Sequence, residues 1–183
     1  MFNINHKIDL DDIIIRPPKS SDLFFLRNLW ENPQVMSYVG FPKGLKQSDE
    51  KIKNWIQNWQ KGGLHLIIED KKEIKPIGEI GYRLEEKRLN NHERKFAVLD
   101  IKMTPNYWGK GIGFRTLDAL IKKLDQNSNF DYYELTPNVE NKRAMNLYYK
   151  LGFKKSGKPE VWKSPQGITI VCQLMIKKAK KHK

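Results

Sequence analysis

The sequence predicts an α+β (mixed α/β) domain: a mostly antiparallel mixed sheet of about seven strands, about four helices against it, and one parallel βαβ step. Three observations predict this class. The segments L-H-L-I-I-E, P-I-G-E-I-G-Y-R and K-F-A-V-L-D-I-K-M are apolar, strand-like and separated by short polar linkers, the signature of an antiparallel meander. Leu117, Leu120, Ile121 and Leu124, and later Ala144, Leu147, Tyr148 and Leu151, keep helical spacing. The strand D-Y-Y-E-L-T falls between those two helices, so it returns parallel to the last strand of the meander.

The remaining elements follow in order. I-I-I-R at residues 13–16 is a short strand stopped by Pro17-Pro18. Ser20 or Ser21 can cap a helix running to about Glu31, with Leu23, Leu26 and Trp30 along one face. Ser48 can cap a second, in which Ile52, Trp55, Ile56 and Trp59 form a buried stripe. After the helix closed by Gly152, two strands near residues 153–161 and 168–176 flank the turn S-P-Q-G. Residues 1–176 form a single domain, and 177–183 read as a basic, mobile tail.

Composition narrows the function. No stretch approaches the roughly 18 apolar residues of a membrane span, and the first residues do not resemble a signal peptide, so a cytoplasmic protein is expected. Cys172, the single cysteine, lies in an apolar run, and His6, His65, His92 and His182 have no ligand-like spacing, so no metal is expected. The net charge is +13, of which residues 101–183 carry +11. Five lysines of the tail supply part of that excess and could touch an acidic partner; what is left suits an anionic ligand.

The anion has an obvious place. Residues 107–115 read Y-W-G-K-G-I-G-F-R, with Gly109, Gly111 and Gly113 at alternate positions ahead of a helix. The amides of Lys110 to Phe114, including Ile112, then lie where a helix start leaves N–H groups unpaired, and Lys110 and Arg115 add charge. A dinucleotide, an acyl carrier such as coenzyme A, or no ligand at all would fit a bare glycine turn. The dinucleotide fingerprint G-x-G-x-x-G fails, since Phe114 or Thr116 stands where its third glycine belongs, although Glu134 lies 21 residues beyond Gly113. A Walker A loop fails too, because no Gly-Lys-Ser/Thr ends the turn.

A second segment, N-V-E-N-K-R-A-M-N-L-Y-Y-K-L-G-F, places Asn141 and Tyr148 on one helical face. Together, Y-W-G-K-G-I-G and N-x-x-N-x-x-A-x-x-L-Y-x-x-L-G-F resemble the GNAT superfamily of acetyl-CoA-dependent N-acetyltransferases. The opening I-R-P-P-x-x-S-D-L and N-P-Q-V-M-S-Y-V-G-F-P resemble its RimJ/RimL-like branch. The resemblance implies the GNAT fold, with the parallel step splayed to admit the CoA arm, and acetyl-CoA (coenzyme A) as co-substrate. The family's Q/R-x-x-G-x-G/A turn falls on Trp108 to Gly113, with Trp108 where Gln or Arg is usual. Its amides would hold the pyrophosphate, the backbones of Ile101 and Met103 and the side chain of Asn141 would meet the pantetheine arm, and Tyr148 would face the sulfur.

Acetyl transfer to an amine needs a neutral amine, a stabilised oxyanion and a proton for the departing thiolate. Tyr148, protonated at pH 7, suits the last role, and an amide near Met103 the second. For the base, Asp100 stands out as a carboxylate within A-V-L-D-I-K-M, and Glu79, mid-strand in I-G-E-I-G, comes next, ahead of Glu93 and His92. An ion pair of Asp100 with Lys102 on the same face, and proton removal by water alone, are the alternatives. The acceptor is a protein N-terminus, or a small amine such as an aminoglycoside or polyamine, and the enzyme a monomer or homodimer without membrane contact. A non-catalytic CoA-binding module and a basic ribosome- or nucleic-acid-binding protein are the competing classes.

Overall fold

The computed structural model describes residues 7–127 and 129–180. Strands β1 (Ile8–Leu10) and β2 (Ile13–Arg16) precede a 3₁₀ turn at Ser20–Asp22, then α1 (Leu23–Glu31), the single-turn α2 (Pro33–Met36) and α3 (Asp49–Gln57). The meander is β3 (Gly63–Asp70), β4 (Lys75–Leu89) and β5 (His92–Met103). There follow α4 (Ile112–Asn127), β6 (Tyr132–Leu135) and α5 (Lys142–Lys150). The short strands β7 (Lys154–Lys155), β8 (Glu160–Lys163), β9 (Thr169–Cys172) and β10 (Met175–Lys178) come last.

Eight strands form one sheet in the order β1-β2-β3-β4-β5-β6-β10-β7, while β8 and β9 pair on their own. Every pair is antiparallel except β5–β6, the parallel step the sequence predicts. Strand alternation divides the core between the two faces of the sheet. Leu64, Leu66 and Ile68 of β3 pack with Leu117, Leu120, Ile121 and Leu124 of α4 and with Tyr148 of α5. Ile67, pointing the other way, packs with Leu26, Leu29 and Trp30 of α1 and Ile52 and Ile56 of α3. Each helix therefore buries its apolar stripe against one face.

The structure departs from the sequence reading in five places. First, β1 was not anticipated; it adds itself antiparallel to β2. Second, β4 and β5 are much longer than their apolar cores, because Asn90 and Asn91 take left-handed conformations (φ 49° and 63°) and close a two-residue hairpin between Leu89 and His92. Third, the expected serine cap does not form: Asp22 stands at the N-cap of α1 without a side-chain bond to that helix, and its carboxylate accepts the Lys19 amide at 2.6 Å. The cap at Ser48 does form, but α3 stops at Gln57, so Trp59 packs from outside it.

Fourth, each of the two predicted C-terminal strands breaks in half. The chain bends at Gly157 (φ 69°), and the buried Gln173 carboxamide donates to the carbonyls of Ser156, Gly157 and Leu174, interrupting both ladders at one point. The inner halves join the main sheet, and the outer hairpin lies against the loop after α2, where Gln166 Nε2 donates to Gly44 O at 2.9 Å. Fifth, the domain runs beyond residue 176. Lys177 and Lys178 pair with Tyr133 and Tyr132, Ala179 is buried, and the Lys180 amide donates to Asp125 Oδ1 at 2.9 Å. Only residues 181–183 of the expected tail lie outside the described residues. No helix among the described residues is long and apolar enough to cross a membrane.

One buried ionic knot ties β2 to its neighbours. Arg16 donates in a bidentate pair to Asp22 (2.7 and 2.9 Å) and from Nε to Glu69 on β3 (2.6 Å), with the guanidinium nearly inaccessible. Removing it strands two carboxylates away from water. Arg16→Ala is expected to cost about 3–5 kcal/mol in urea unfolding, whereas Lys71→Ala, which breaks the exposed Asp9 pair, costs less than about 1 kcal/mol.

Candidate active site

The glycine turn divides its residues by task. Gly109 and Gly111 both have φ of 74°, the left-handed region that L side chains resist, and a Cβ on either would meet nothing within 4 Å. Their backbone therefore needs glycine, and the space above them is open. Gly113 is different: a Cβ there would sit 3.4 Å from Leu147 Cδ2 and 3.7 Å from Met103 Sδ, so this glycine lets α4 close on α5 and β5. The first helical bond is from the Arg115 amide to Gly111 O (3.1 Å), which leaves the amides of Ile112, Gly113 and Phe114 without an intrahelical acceptor. No acidic residue occupies this first turn.

The turn opens on a groove of about 730 Å³, lined also by Ile101, Met103, Asn141 and Tyr148. Its origin is in the sheet. Pairing of β5 with β6 covers only Phe96–Val98 against Tyr132–Glu134, yet β5 continues to Met103 while still paired with β4. Beyond Val98 the two strands part, and α5 crosses the gap. The Trp108 indole N–H donates to Met103 O at 2.8 Å, so that carbonyl points into the gap, and by strand alternation so does that of Ile101. A smaller cavity of about 140 Å³, lined by Asp100, Lys102 and Thr136–Asn138, shares Ile101, Met103, Trp108, Asn141, Arg143, Ala144 and Tyr148 with the groove. The split thus connects the α4/α5 face of the sheet to the α1/α3 face.

Tyr148 stands where the two cavities meet. It is 7% exposed, and its hydroxyl has no hydrogen-bond partner among the described residues. Burial pushes its pKa up, the Asp100 carboxylate adds to the shift, and Lys102 and Arg143 oppose it. Asn141 caps α5: its carboxamide oxygen accepts the Ala144 amide (3.1 Å), which leaves the NH₂ as its free donor. Arg143 belongs here too, its guanidinium 3.6 Å from the Trp108 ring centre. The sequence reading passed over it because the segment N-K-R-A looks like an exposed first helical turn.

On the α1/α3 face, Glu79 and Lys102 are Cα partners across β4 and β5. Lys102 Nζ lies 3.0 Å from Glu79 Oε1 and also pairs with Asp100, while Trp30 Nε1 donates to the same Glu79 oxygen at 2.9 Å. Both expected carboxylates therefore meet at Lys102, the ion pair the sequence left open as an alternative. Burial alone would raise the Asp100 pKa, but the Lys102 ammonium outweighs it and the net direction is downward. Asp100 nevertheless keeps 58% of its side chain accessible and lines the smaller cavity. Burial would lower the Lys102 pKa, but the two carboxylates hold it raised. His65, half-buried beside Trp55 on this face, is pushed downward by burial and tends to neutrality.

Other candidates lie elsewhere. Lys110 rests over the Tyr107 ring at 5.2 Å and lines the groove with Phe114. Arg115 also lines it, but its guanidinium is engaged by Asp12 at 2.5 and 3.0 Å. Glu93 and His92 sit at the far end of β5, about 23 Å or more from Asp100 at 3.3 Å per residue. Glu134 is buried against Lys87 (2.6 Å). Burial pushes the half-buried Cys172 thiol up. Among the described residues, no group of three or more His, Cys, Asp or Glu is placed to hold a metal ion.

Comparison with known proteins bears on this architecture. A family model described as an acetyltransferase (GNAT) domain matches residues 12–154. The spermidine N-acetyltransferase from Vibrio cholerae, solved with CoA and spermine, is similar over 93% of this chain and 97% of its own, with a TM-score of 0.76 and 21% identity. The ribosomal-protein-S5-alanine acetyltransferase from Vibrio fischeri is similar over 97% and 98%, with a TM-score of 0.74 and 19% identity. The microcin C7 self-immunity acetyltransferase, solved with acetyl-CoA and AMP, covers 92% and 93%, with a TM-score of 0.71 and 18% identity. At these identities the structural likeness speaks for the fold.

The Asp100–Lys102 pair has a measurable consequence. A carboxyl whose folded pKa is lowered contributes stability that is present above its unfolded value, near 3.9, and lost as pH falls through the folded one. In a ¹³C NMR titration the Asp100 carboxyl is expected to titrate below a free aspartate, and in Lys102→Met to move upward. Titration at the same pH in both proteins would show that Lys102 does not set its charge.

Proposed function

We propose, from the premise that this chain belongs to the acetyltransferase (GNAT) family, that its groove brings acetyl-CoA and a primary amine together for direct transfer, with Tyr148 as general acid. Acetyl-CoA supplies the activated acetyl thioester; the positions of the chain's own residues support the rest. One observation carries the reading: the gap between β5 and β6 runs from the glycine-turn amides to the buried hydroxyl of Tyr148, both without a partner among the described residues. The residues present fit the donor. The amides of Lys110 to Phe114 and the helix dipole suit a pyrophosphate. The strand edge at Ile101 and the Met103 amide, whose residue's carbonyl Trp108 already takes, together with the Asn141 NH₂, suit the amides of a pantetheine arm. Lys110 and Arg143, held against aromatic rings rather than carboxylates, keep their charge available to an anion.

The roles follow from the surroundings of each group. Tyr148, with its pKa pushed above the ordinary value of about 10, keeps its proton near neutrality and donates it to the thiolate sulfur as the C–S bond breaks. A β5 amide near Met103 faces the developing oxyanion. Asp100, held ionised by Lys102, is too weak a base to deprotonate an alkyl ammonium directly, so the acceptor enters as the neutral amine present at equilibrium in solution. The exposed oxygen of Asp100, with Glu79 behind Lys102, orients the amine. The acceptor is a primary amine, either a protein N-terminus, as the likeness to the ribosomal-protein enzyme suggests, or a small-molecule amine. Holding both reactants in one groove supplies much of the acceleration.

The test is thiol release from acetyl-CoA across a panel of small amines and N-terminal peptides, together with calorimetric binding of CoA. Tyr148→Phe is expected to lower kcat by about 10²- to 10⁴-fold while leaving CoA affinity near the native value. A Tyr148→Phe protein with native kcat would remove the acid role. Because Tyr148 stays protonated, kcat/KM should rise with pH toward the pKa of the amine, with no fall up to about pH 9. Gly111→Ala, forced to φ 74°, costs the turn about 1–2 kcal/mol and should weaken CoA binding roughly tenfold.

A further inference from the structure

We propose that Lys102 determines acceptor specificity: its ammonium fills the cation position between Glu79 and Asp100, so the native groove accepts amines with an uncharged remainder and disfavours acceptors carrying a second cation. The inference rests on the transfer reading above and narrows its substrate class.

Three charged side chains line the cavity beside Tyr148, Asp100, Lys102 and Arg143, and a fourth, Glu79, lies behind Lys102. Glu79 is 5% exposed, and its Oε1 already receives both the Trp30 indole N–H (2.9 Å) and the Lys102 ammonium (3.0 Å). Asp100 pairs with the same ammonium from two residues back on β5. Lys102 cannot swing out to water without leaving Glu79 buried with a single neutral donor, so the pairing is costly to break. Arg143 also lines the cavity, held over Trp108 and without a carboxylate partner among the described residues. His65, on the same face as Lys102, tends to neutrality and contributes no lasting charge.

Two carboxylates therefore face two cations. The reacting amine, neutral when it attacks, can use the accessible oxygen of Asp100. A second ammonium on the same acceptor finds two fixed cations and no carboxylate without a partner. Discrimination of this kind comes from a built-in repulsive element rather than an added contact. The same geometry says what lies beneath the lysine: with the ammonium removed, Glu79 and Asp100 become a two-carboxylate pocket next to the reacting centre, the chemistry that binds a diamine.

The experiment compares pentylamine with 1,5-diaminopentane as acceptors, by thiol release at saturating acetyl-CoA, with rates for the diamine halved for its two amino groups. The native enzyme is expected to favour pentylamine in kcat/KM by about tenfold or more. Lys102→Met should shift the ratio toward the diamine by about tenfold or more, and Lys102→Arg should keep the native order. A general loss of stability would lower both rates and leave the ratio unmoved, so the ratio separates specificity from folding. The proposal is overturned if folded Lys102→Met keeps the native ratio, or if the native enzyme already prefers the diamine. The second measurement decides alone where Lys102→Met does not fold. Absence of thiol release with every amine removes the transfer reading itself, and this inference with it.

Discussion

The site depends on one interruption in the sheet. β5 makes backbone pairs with β4 along its whole length, but its pairing with β6 ends at Val98 and Glu134. A strand edge left open inside a sheet is unfavourable unless its N–H and C=O groups find other partners. Here part of the debt is met by Trp108, whose indole N–H takes the Met103 carbonyl, and the rest of the edge faces the groove. The interruption does two things together. It offers a ladder of backbone groups to an extended ligand arm, and it makes a passage through a sheet whose two faces otherwise carry separate cores. Tyr148 borders that passage, within electrostatic reach of Asp100 and Lys102 on the other face.

How much of this was legible in the sequence depended on whether the cue was local. The meander, the crossover and the glycine turn were readable because each rests on short-range pattern: period two in L-H-L-I-I-E, period 3.6 from Leu117 to Leu124, and glycines at Gly109 and Gly111 that turn out to need positive φ. What escaped rested on distant partners. Nothing near Arg115 announces that Asp12 binds it, nor does the strand I-R predict that Arg16 will be buried with Asp22 and Glu69. The last strands were misjudged because their break depends on Gln173 reaching back to Ser156 and Gly157. Arg143 escaped for the same reason: its meaning comes from Trp108, 35 positions earlier in the chain.

The glycines show how a motif can mix functions that a pattern cannot separate. Gly109 and Gly111 hold a backbone conformation and leave the space above them open, whereas Gly113 permits close contact of α4 with Leu147 and Met103. By sequence the three are equivalent. By physics, substitution at the first two strains φ with no steric clash, and substitution at the third presses on side chains that line the groove. The third position thus couples the glycine-turn end of the groove to the packing of the helix that carries Tyr148.

Net charge misleads about such a site unless each cation is followed to its partner. Residues 101–183 hold an excess of eleven positive charges, yet Arg115 is paired with Asp12 and Lys102 with Glu79 and Asp100. Lys110 and Arg143 differ from these, since each rests on an aromatic ring, Tyr107 and Trp108. A ring positions a cation through its quadrupole without neutralising it, whereas a carboxylate does both. Cations fixed on rings at the groove are therefore preorganised and still charged, which is the condition for attracting an anion at little cost in side-chain entropy. The cation fixed by carboxylates lies at the other end, where the proposed acceptor amine would enter. The groove thus carries free positive charge at the glycine turn and compensated charge beyond Tyr148, a division that the chain's overall charge does not reveal.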